Sequence, residues 1–208
     1  MRSPDAATPR ARQRARTTVE LLDAALEQMT QDGVAGLNLS EVAARVGLAQ
    51  PSVYRYFPSK TAVYDALFAR GMTAHRDLVY AVVASTPPGW AAVEAAVKAT
   101  VAFVGQYPTL ADLMFRRTVP GFTPSAKAYA PSVEAMQIIR QALVDAVAVG
   151  DLAPEAASPE GIELLVTLAA GVMSQQSANH ADGGEARLLP VVLEMYQHRY
   201  RARKNEPR

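Results

Sequence analysis

Apolar positions recur three and four residues apart along almost the whole chain. Long alternating runs of β-branched residues are absent, and so are Asn-Gly and Asp-Gly hairpin turns. That periodicity predicts an all-α protein of about nine helices. The first 15 residues read as a disordered, basic arm. A first helix is expected over 16–32, with Val19, Leu22, Leu26 and Met29 on one stripe and Gly33 as its stop. A second is expected over 39–46. Asn38 is a good N-cap for it, Glu41 three residues on completes a capping-box-like pair, and Gly47 ends it. A short third helix over 50–56 follows, and Ser59 caps a long fourth helix reaching to about residue 84.

Pro87, Pro88 and Gly89 then break the chain. Helices are expected at 90–106 and 108–117, with "TVPGFTP" (118–124) as a loop. Another runs over 126–149, where Pro131 marks a place it could break and Gly150 is the stop. Ser158-Pro159 is an N-cap followed by a proline at the first helical position, which starts a helix reaching His180. "ADGGE" (181–185) reads as a turn, the last helix as 186–202, and the tail as frayed. No internal repeat is present.

Residues 38–60 carry the chemistry. A helix-turn-helix needs a small residue where the helices cross, a turn residue tolerant of positive φ, and apolar residues that lock the pair. Ala43, Gly47 and the set Val42, Val46, Leu48 and Val53 fill those roles. The second helix of such a unit enters the major groove of DNA with its N-terminal residues toward base edges. Gln50 can pair with adenine, Arg55 with guanine or a phosphate, and Ser52 with either. Pro51 sits in the first turn, where its missing N–H costs little. Tyr54 and Tyr56 offer phenolic donors to phosphates. Lys60, at a helix N-terminus whose free N–H groups favour an anion, can clamp one. Phe57 reads as core, and Tyr56 as core or contact in equal measure.

The run "NLSEVAARVGLAQPSVYRYFPSKTAVYDALF" resembles the DNA-binding signature of the tetracycline-repressor (TetR) family. The match is carried by Asn38-x-x-Glu41-Val42-Ala43, Val46-Gly47-Leu48 and Val53-Tyr54-Arg55-Tyr56-Phe57-x-x-Lys60, within about residues 16–70. Ala49 stands where the family often has a capping serine, and Asn38 replaces a threonine. The resemblance implies a helix-turn-helix DNA-binding domain over 16–60, a connecting helix over 61–84, and an effector-binding and dimerisation domain over 85–203. It places DNA contacts at Asn38, Ser40, Gln50, Pro51, Ser52, Tyr54, Arg55, Tyr56 and Lys60.

The same resemblance implies a homodimer paired through its last two helices, bound to a palindromic double-stranded operator and released by a small effector. Repression is the family habit. Two features of the sequence fit that picture. Ala169-Ala170-Gly171, with Ser174 and Ser177 beyond, would let two helices approach closely. Leu189, Val192, Tyr196 and Tyr200 form a stripe that suits either intrachain core or an interface. Phe103, Tyr107, Met114, Phe115, Met136, Gln137, Met173 and Gln176 are candidates for an adaptable, mostly apolar effector pocket.

Composition narrows the alternatives. Half of the 208 residues are hydrophobic, enough for a sizeable core. The net charge of +1 hides an asymmetry: residues 1–76 hold ten Lys/Arg against seven Asp/Glu, and the rest hold eleven against thirteen. Arg2, Arg10, Arg12, Arg14 and Arg16 face only Asp5 in the leading segment, which suits phosphate contact or a solvated tail. The absence of cysteine excludes disulfides and thiolate metal sites. His75, His180 and His198 show no ligand spacing, so no metal and no cofactor are expected. No apolar run approaches a membrane span, and the N-terminus lacks the apolar core of a secretory signal, so a cytoplasmic protein is expected. No phosphate-binding loop, nucleophile elbow, zinc-protease motif or dinucleotide fingerprint occurs, which argues against an enzyme. A helical small-molecule binder, a membrane-surface helical protein, or an architectural DNA binder without a switch is the alternative.

Overall fold

The computed structural model describes residues 8–116, 118–178 and 186–202. Among them nine α-helices appear: α1 (Pro9–Asp32), α2 (Leu39–Arg45), α3 (Gln50–Val53), α4 (Lys60–Ala84), α5 (Trp90–Gln106), α6 (Pro108–Phe115), α7 (Ala126–Ala148), α8 (Pro159–Ala178) and α9 (Leu189–Arg199). Short 3-10 turns stand at Val34–Gly36 and Pro154–Ala157. The one bridge of β type among the described residues joins Leu152 to Arg201. The all-α expectation holds.

Three expectations change. The first helix begins at Pro9, so residues 9–15 are helical rather than arm. Thr8 causes this: its Oγ1 accepts the Ala11 N–H at 3.2 Å, and Pro9 fits the first helical position. Second, Val19 is 52% exposed and leaves the stripe; Leu22 and Met29 stay on the buried face, Leu26 is half-buried, and Leu21, Ala25 and Gln28 join that face. Third, α7 runs unbroken through Pro131. The proline lies in the second turn, where it removes one backbone bond of a long helix. The "ADGGE" turn, His180 and residues 1–7 of the arm lie outside the described residues.

Two compact units divide the chain. One holds the described residues up to Arg70 together with Thr109–Ala128, and the other holds Gly71–Pro108 with the described residues from Tyr129 onward. The first, here the head, thus takes in more chain than residues 16–60. Its centre is Leu21, Met29, Val42, Val53, Val63 and Leu67, all nearly solvent-free. Burial of each such side chain contributes about 1.5–3 kcal/mol. Phe122 adds its ring 5.6 Å from Tyr64 and 6.4 Å from Phe68. Asp65 accepts hydrogen bonds from the N–H of Ser125 at 2.7 Å and from its hydroxyl at 2.8 Å.

The second unit is built round Trp90, Leu143, Leu152, Leu165, Leu193 and Tyr196. Trp90 and Tyr196 stack with centroids 5.8 Å apart, and Tyr200 leans on Tyr196 at 4.9 Å. The Tyr196 hydroxyl lies 3.1 Å from the carbonyls of Ala156 and Gly161, which fixes the start of α8. Its burial, with a smaller contribution from Tyr200, pushes the phenol's pKa upward. Leu189, Tyr196 and Tyr200 are buried and Val192 packs against them, so the α9 stripe is intrachain core.

Candidate nucleic-acid interface

The turn between α2 and α3 is set by backbone geometry. Gly47 has φ +69°, in the left-handed region that favours glycine. The Leu48 N–H reaches the Ala43 carbonyl at 2.9 Å, and the Gly47 N–H reaches Ala44 at 3.1 Å. This pair of bonds is a Schellman closure, which satisfies the last carbonyls of α2 and reverses the chain. Ala43 is buried, as a crossing residue must be, and Val42 and Val53 lie almost wholly inside. Val46 and Leu48 are half-buried beside them.

The start of α2 is held differently from expectation. Asn38 caps it, with its Oδ1 accepting the Ser40 N–H at 2.9 Å. Glu41 bonds the side-chain amide of Asn38 at 3.2 Å rather than its backbone N–H. That backbone N–H goes to Gln28 Oε1 at 2.9 Å, and Gln28 Nε2 donates to Glu41 at 2.7 Å. Gln28 is buried to 1% exposure and ties α1 to α2. The sequence signal for it was a glutamine on an otherwise apolar helix face.

With that frame fixed, the polar edge of α3 points to solvent. Gln50, Pro51, Tyr54 and Arg55 are exposed, as are Asn38, Ser40 and Lys60; Ser52 and Tyr56 are half-buried. Tyr54 retains 47% exposure, large for an aromatic residue beside a packed core. Phe57 is buried and serves the core. Ala49 supplies no side-chain cap to α3. Ser59 caps α4, its Oγ accepting the Ala62 N–H at 3.1 Å. Lys60 donates to the Ala35 carbonyl at 3.0 Å and stands over the Tyr64 ring, 5.7 Å from its centroid. An ammonium has three donors, so further acceptors can still be met. Tyr64 donates to the Val34 carbonyl at 2.8 Å, and burial raises its pKa. Arg14, on α1, donates to the Arg55 carbonyl at 2.7 Å and lies 5.0 Å from the centre of the Tyr56 ring. No sequence signal marked that contact, which joins residues 41 apart.

The eight pocket candidates do not gather in one unit. Met114, buried, and Phe115, 39% exposed, belong to the head. The other six lie in the second unit. Phe103 is buried, with its ring 5.5 Å from His75 and 5.0 Å from Tyr107. Met136 and Met173 pack on the core. Gln137 is exposed along an open groove with Arg76, Asp77, Tyr80, Glu134, Ile138 and Gln141. Gln176 lies against Gly105 with its Oε1 buried and unbonded among the described residues. His75 is 5% exposed, and burial lowers its pKa to about 4. Thr100 donates its hydroxyl proton to the Ala96 carbonyl at 2.9 Å, so its oxygen accepts from His75 Nε2 at 3.0 Å. That assigns the proton of the neutral ring to Nε2.

Among the described residues no group of three or more His, Asp or Glu side chains could hold a metal ion, and no helix is long and apolar enough to cross a membrane.

Residues 21–67 match the family model for bacterial regulatory proteins of the tetR family. The class D tetracycline repressor protein of Escherichia coli is 35% identical over 57 residues, 27% of this chain. The chain thus spans only about a quarter of the length of the curated relatives it matches, 26% in each case. Similarity of fold extends further. A TetR family transcription regulator from Marinobacter aquaeolei VT8 superposes with a TM-score of 0.70 at 15% identity, covering 92% of this chain and 100% of the other. FadR of Bacillus subtilis, solved with stearoyl-CoA, gives 0.66 at 16% identity, covering 86% and 96%. The glycine turn and the exposed edge that follows it thus lie inside the stretch that is similar to bacterial regulatory proteins of the tetR family, and the described chain as a whole shares the fold of solved regulators.

Proposed function

We propose that the protein is a transcriptional regulator, and specifically a repressor that binds a palindromic operator as a homodimer and is released by a small, mostly apolar effector. The observation that carries this reading is the exposed edge Gln50, Pro51, Tyr54 and Arg55 set behind a closed glycine turn. Gln50, Ser52 and Arg55 read base edges; Asn38, Ser40, Tyr54, Tyr56 and Lys60 hold phosphates; Pro51 shapes the first turn. Two such heads bind half-sites about 34–36 Å apart.

The dimer is assigned to α8 and α9. Leu188, Val191 and Met195 leave 49%, 49% and 60% of their surface in water, an apolar face opposite the buried Tyr196 stripe. On α8, Val166, Ala170, Gly171 and Ser174 are exposed, and open space lies beside Gly171. The effector site is assigned to the second unit, with Phe103, Tyr107, Met136, Gln137, Met173 and Gln176 as its candidate wall. The Bacillus protein was solved in complex with stearoyl-CoA, whose stearoyl chain is apolar while its CoA part carries phosphates, so only the acyl chain resembles the effector envisaged here. A coupling of about 1–3 kcal/mol between effector and operator suffices for release.

Selection from a random duplex pool tests the reading. Enrichment of a two-fold symmetric sequence is expected, with tight binding at about 150 mM salt. Recovery of nothing above non-specific binding would overturn it. Met195→Glu should convert dimer to monomer in sedimentation and remove operator binding; an unchanged sedimentation coefficient would move the interface elsewhere.

A further inference from the structure

Arg10, Arg12, Arg14 and Arg16 do not hang from a free arm. Capped by Thr8, the first two turns of α1 carry Arg10, Arg12, Arg14 and Arg16 on a helix of fixed direction. Arg14 spans the gap to the end of the recognition segment, donating to the Arg55 carbonyl at 2.7 Å with its guanidinium over Tyr56. Carbonyls at a helix C-terminus lack intrahelical partners, and a cation is favoured there. Arg14 therefore fixes the backbone of one base-reading candidate and the ring of a phosphate-contact candidate.

Arg10 stands one turn earlier on the same face, four residues away. It is exposed and makes no ion pair among the described residues. Arg16, by contrast, is engaged with Glu20 at 2.9 Å. A guanidinium placed one helical turn beyond Arg14, which itself touches the recognition segment, suits a backbone phosphate flanking the groove.

We infer that the first two turns of α1 are a second DNA-contacting element, in which Arg10 takes a phosphate and Arg14 is a positioning residue for Arg55 and Tyr56. This rests on the DNA-binding reading above and extends its footprint beyond the helix-turn-helix.

Full-length protein, its selected operator and a random duplex of equal length would be titrated across a salt series. Arg10→Ala should weaken both duplexes alike and reduce the slope of log K against log salt by about 0.9. Lys98→Ala, which removes one charge from the second unit, should leave the slope unchanged. Arg14→Ala should lower the operator-to-random ratio roughly fivefold or more, with melting temperature preserved. Arg14→Lys, which keeps the donor but lacks the flat stacking group, should fall between. A wild-type slope for Arg10→Ala together with a wild-type ratio for Arg14→Ala would overturn the inference while leaving the DNA-binding reading intact. If Arg14→Ala fails to fold, the Arg10→Ala slope and the Arg14→Lys ratio decide. Wild-type protein that binds no duplex would instead overturn the underlying reading, and the inference with it.

Discussion

The head and the second unit are both helical, yet they are held together in different ways. In the head, the short α2, α3 and the turns beside them are tied to their neighbours by side chains bonded to backbone: Gln28 to Asn38, Tyr64 to Val34, Lys60 to Ala35 and Arg14 to Arg55. In the second unit, helices close on a broad aliphatic and aromatic centre around Trp90 and Tyr196, with fewer such ties, chiefly Tyr196 to Ala156 and Gly161 and Asp151 to Trp90. Polar bonds to backbone fix position and orientation, so a unit built on them can present side chains at defined places. An apolar centre supplies bulk stability and tolerates exchange of one apolar residue for another of like size. The head is thus specified more for presentation and the second unit more for packing.

Substitutions can break or sharpen this contrast, and the largest effect belongs to the second unit. A β-carbon at Gly161 would collide with the backbone carbonyls of Glu155 and Ala156. Gly161→Ala should therefore cost roughly 3 kcal/mol or more, read as a large fall in melting temperature. A melting temperature near wild type would mean that this packing is looser than drawn.

His75 gives the next effect. Its pKa falls from 6.5 in the unfolded chain to about 4 in the fold. Between those values the unfolded state binds the extra proton, so stability is fully present above pH 6.5 and drains away as pH drops toward 4. The shift corresponds to at most roughly 3 kcal/mol. Denaturant titrations at pH 7 and pH 4.5 should show a smaller pH loss for His75→Gln than for wild type. Equal losses would place the acid sensitivity on other groups.

Gly47→Val should cost about 1–2 kcal/mol through backbone strain alone, because open space surrounds the position. Gly47→Asn should cost less, since asparagine tolerates positive φ. If both variants melt alike, strain is not what holds the turn. Smaller still in stability, but visible in binding, Gln50→Ala should relax preference at one base position by about 1–3 kcal/mol. Lys60→Ala should weaken all duplexes and reduce the salt slope by about 1. A sequence preference unmoved by Gln50→Ala would remove it from the readers.

The same contrast explains what the sequence made legible. Ala43, Gly47, Val53 and Phe57 lie at fixed short offsets, and each occupies the place that local geometry requires. Caps at Asn38, Ser59 and Ser158 were equally readable, because a cap and its partner are two or three residues apart. What escaped depends on distant pairs. The Arg14 contact with Arg55, the Gln28 bonds and the seat of Phe122 on Tyr64 join segments with no local signature. Val19 was misplaced because apolar spacing alone left the helix free to rotate about its axis. Of the pocket candidates, Met114 and Phe115 fell in the head, since apolar side chains at helical spacing carry no label for the body they belong to.

The attachment of residues 109–128 to the head has a consequence for any attempt to transplant it. A graft cut after Arg70 would leave Tyr64 and Phe68 without the Phe122 ring and Asp65 without Ser125. The portable unit is two separate stretches of chain, and a chimera must carry both to inherit an intact reader.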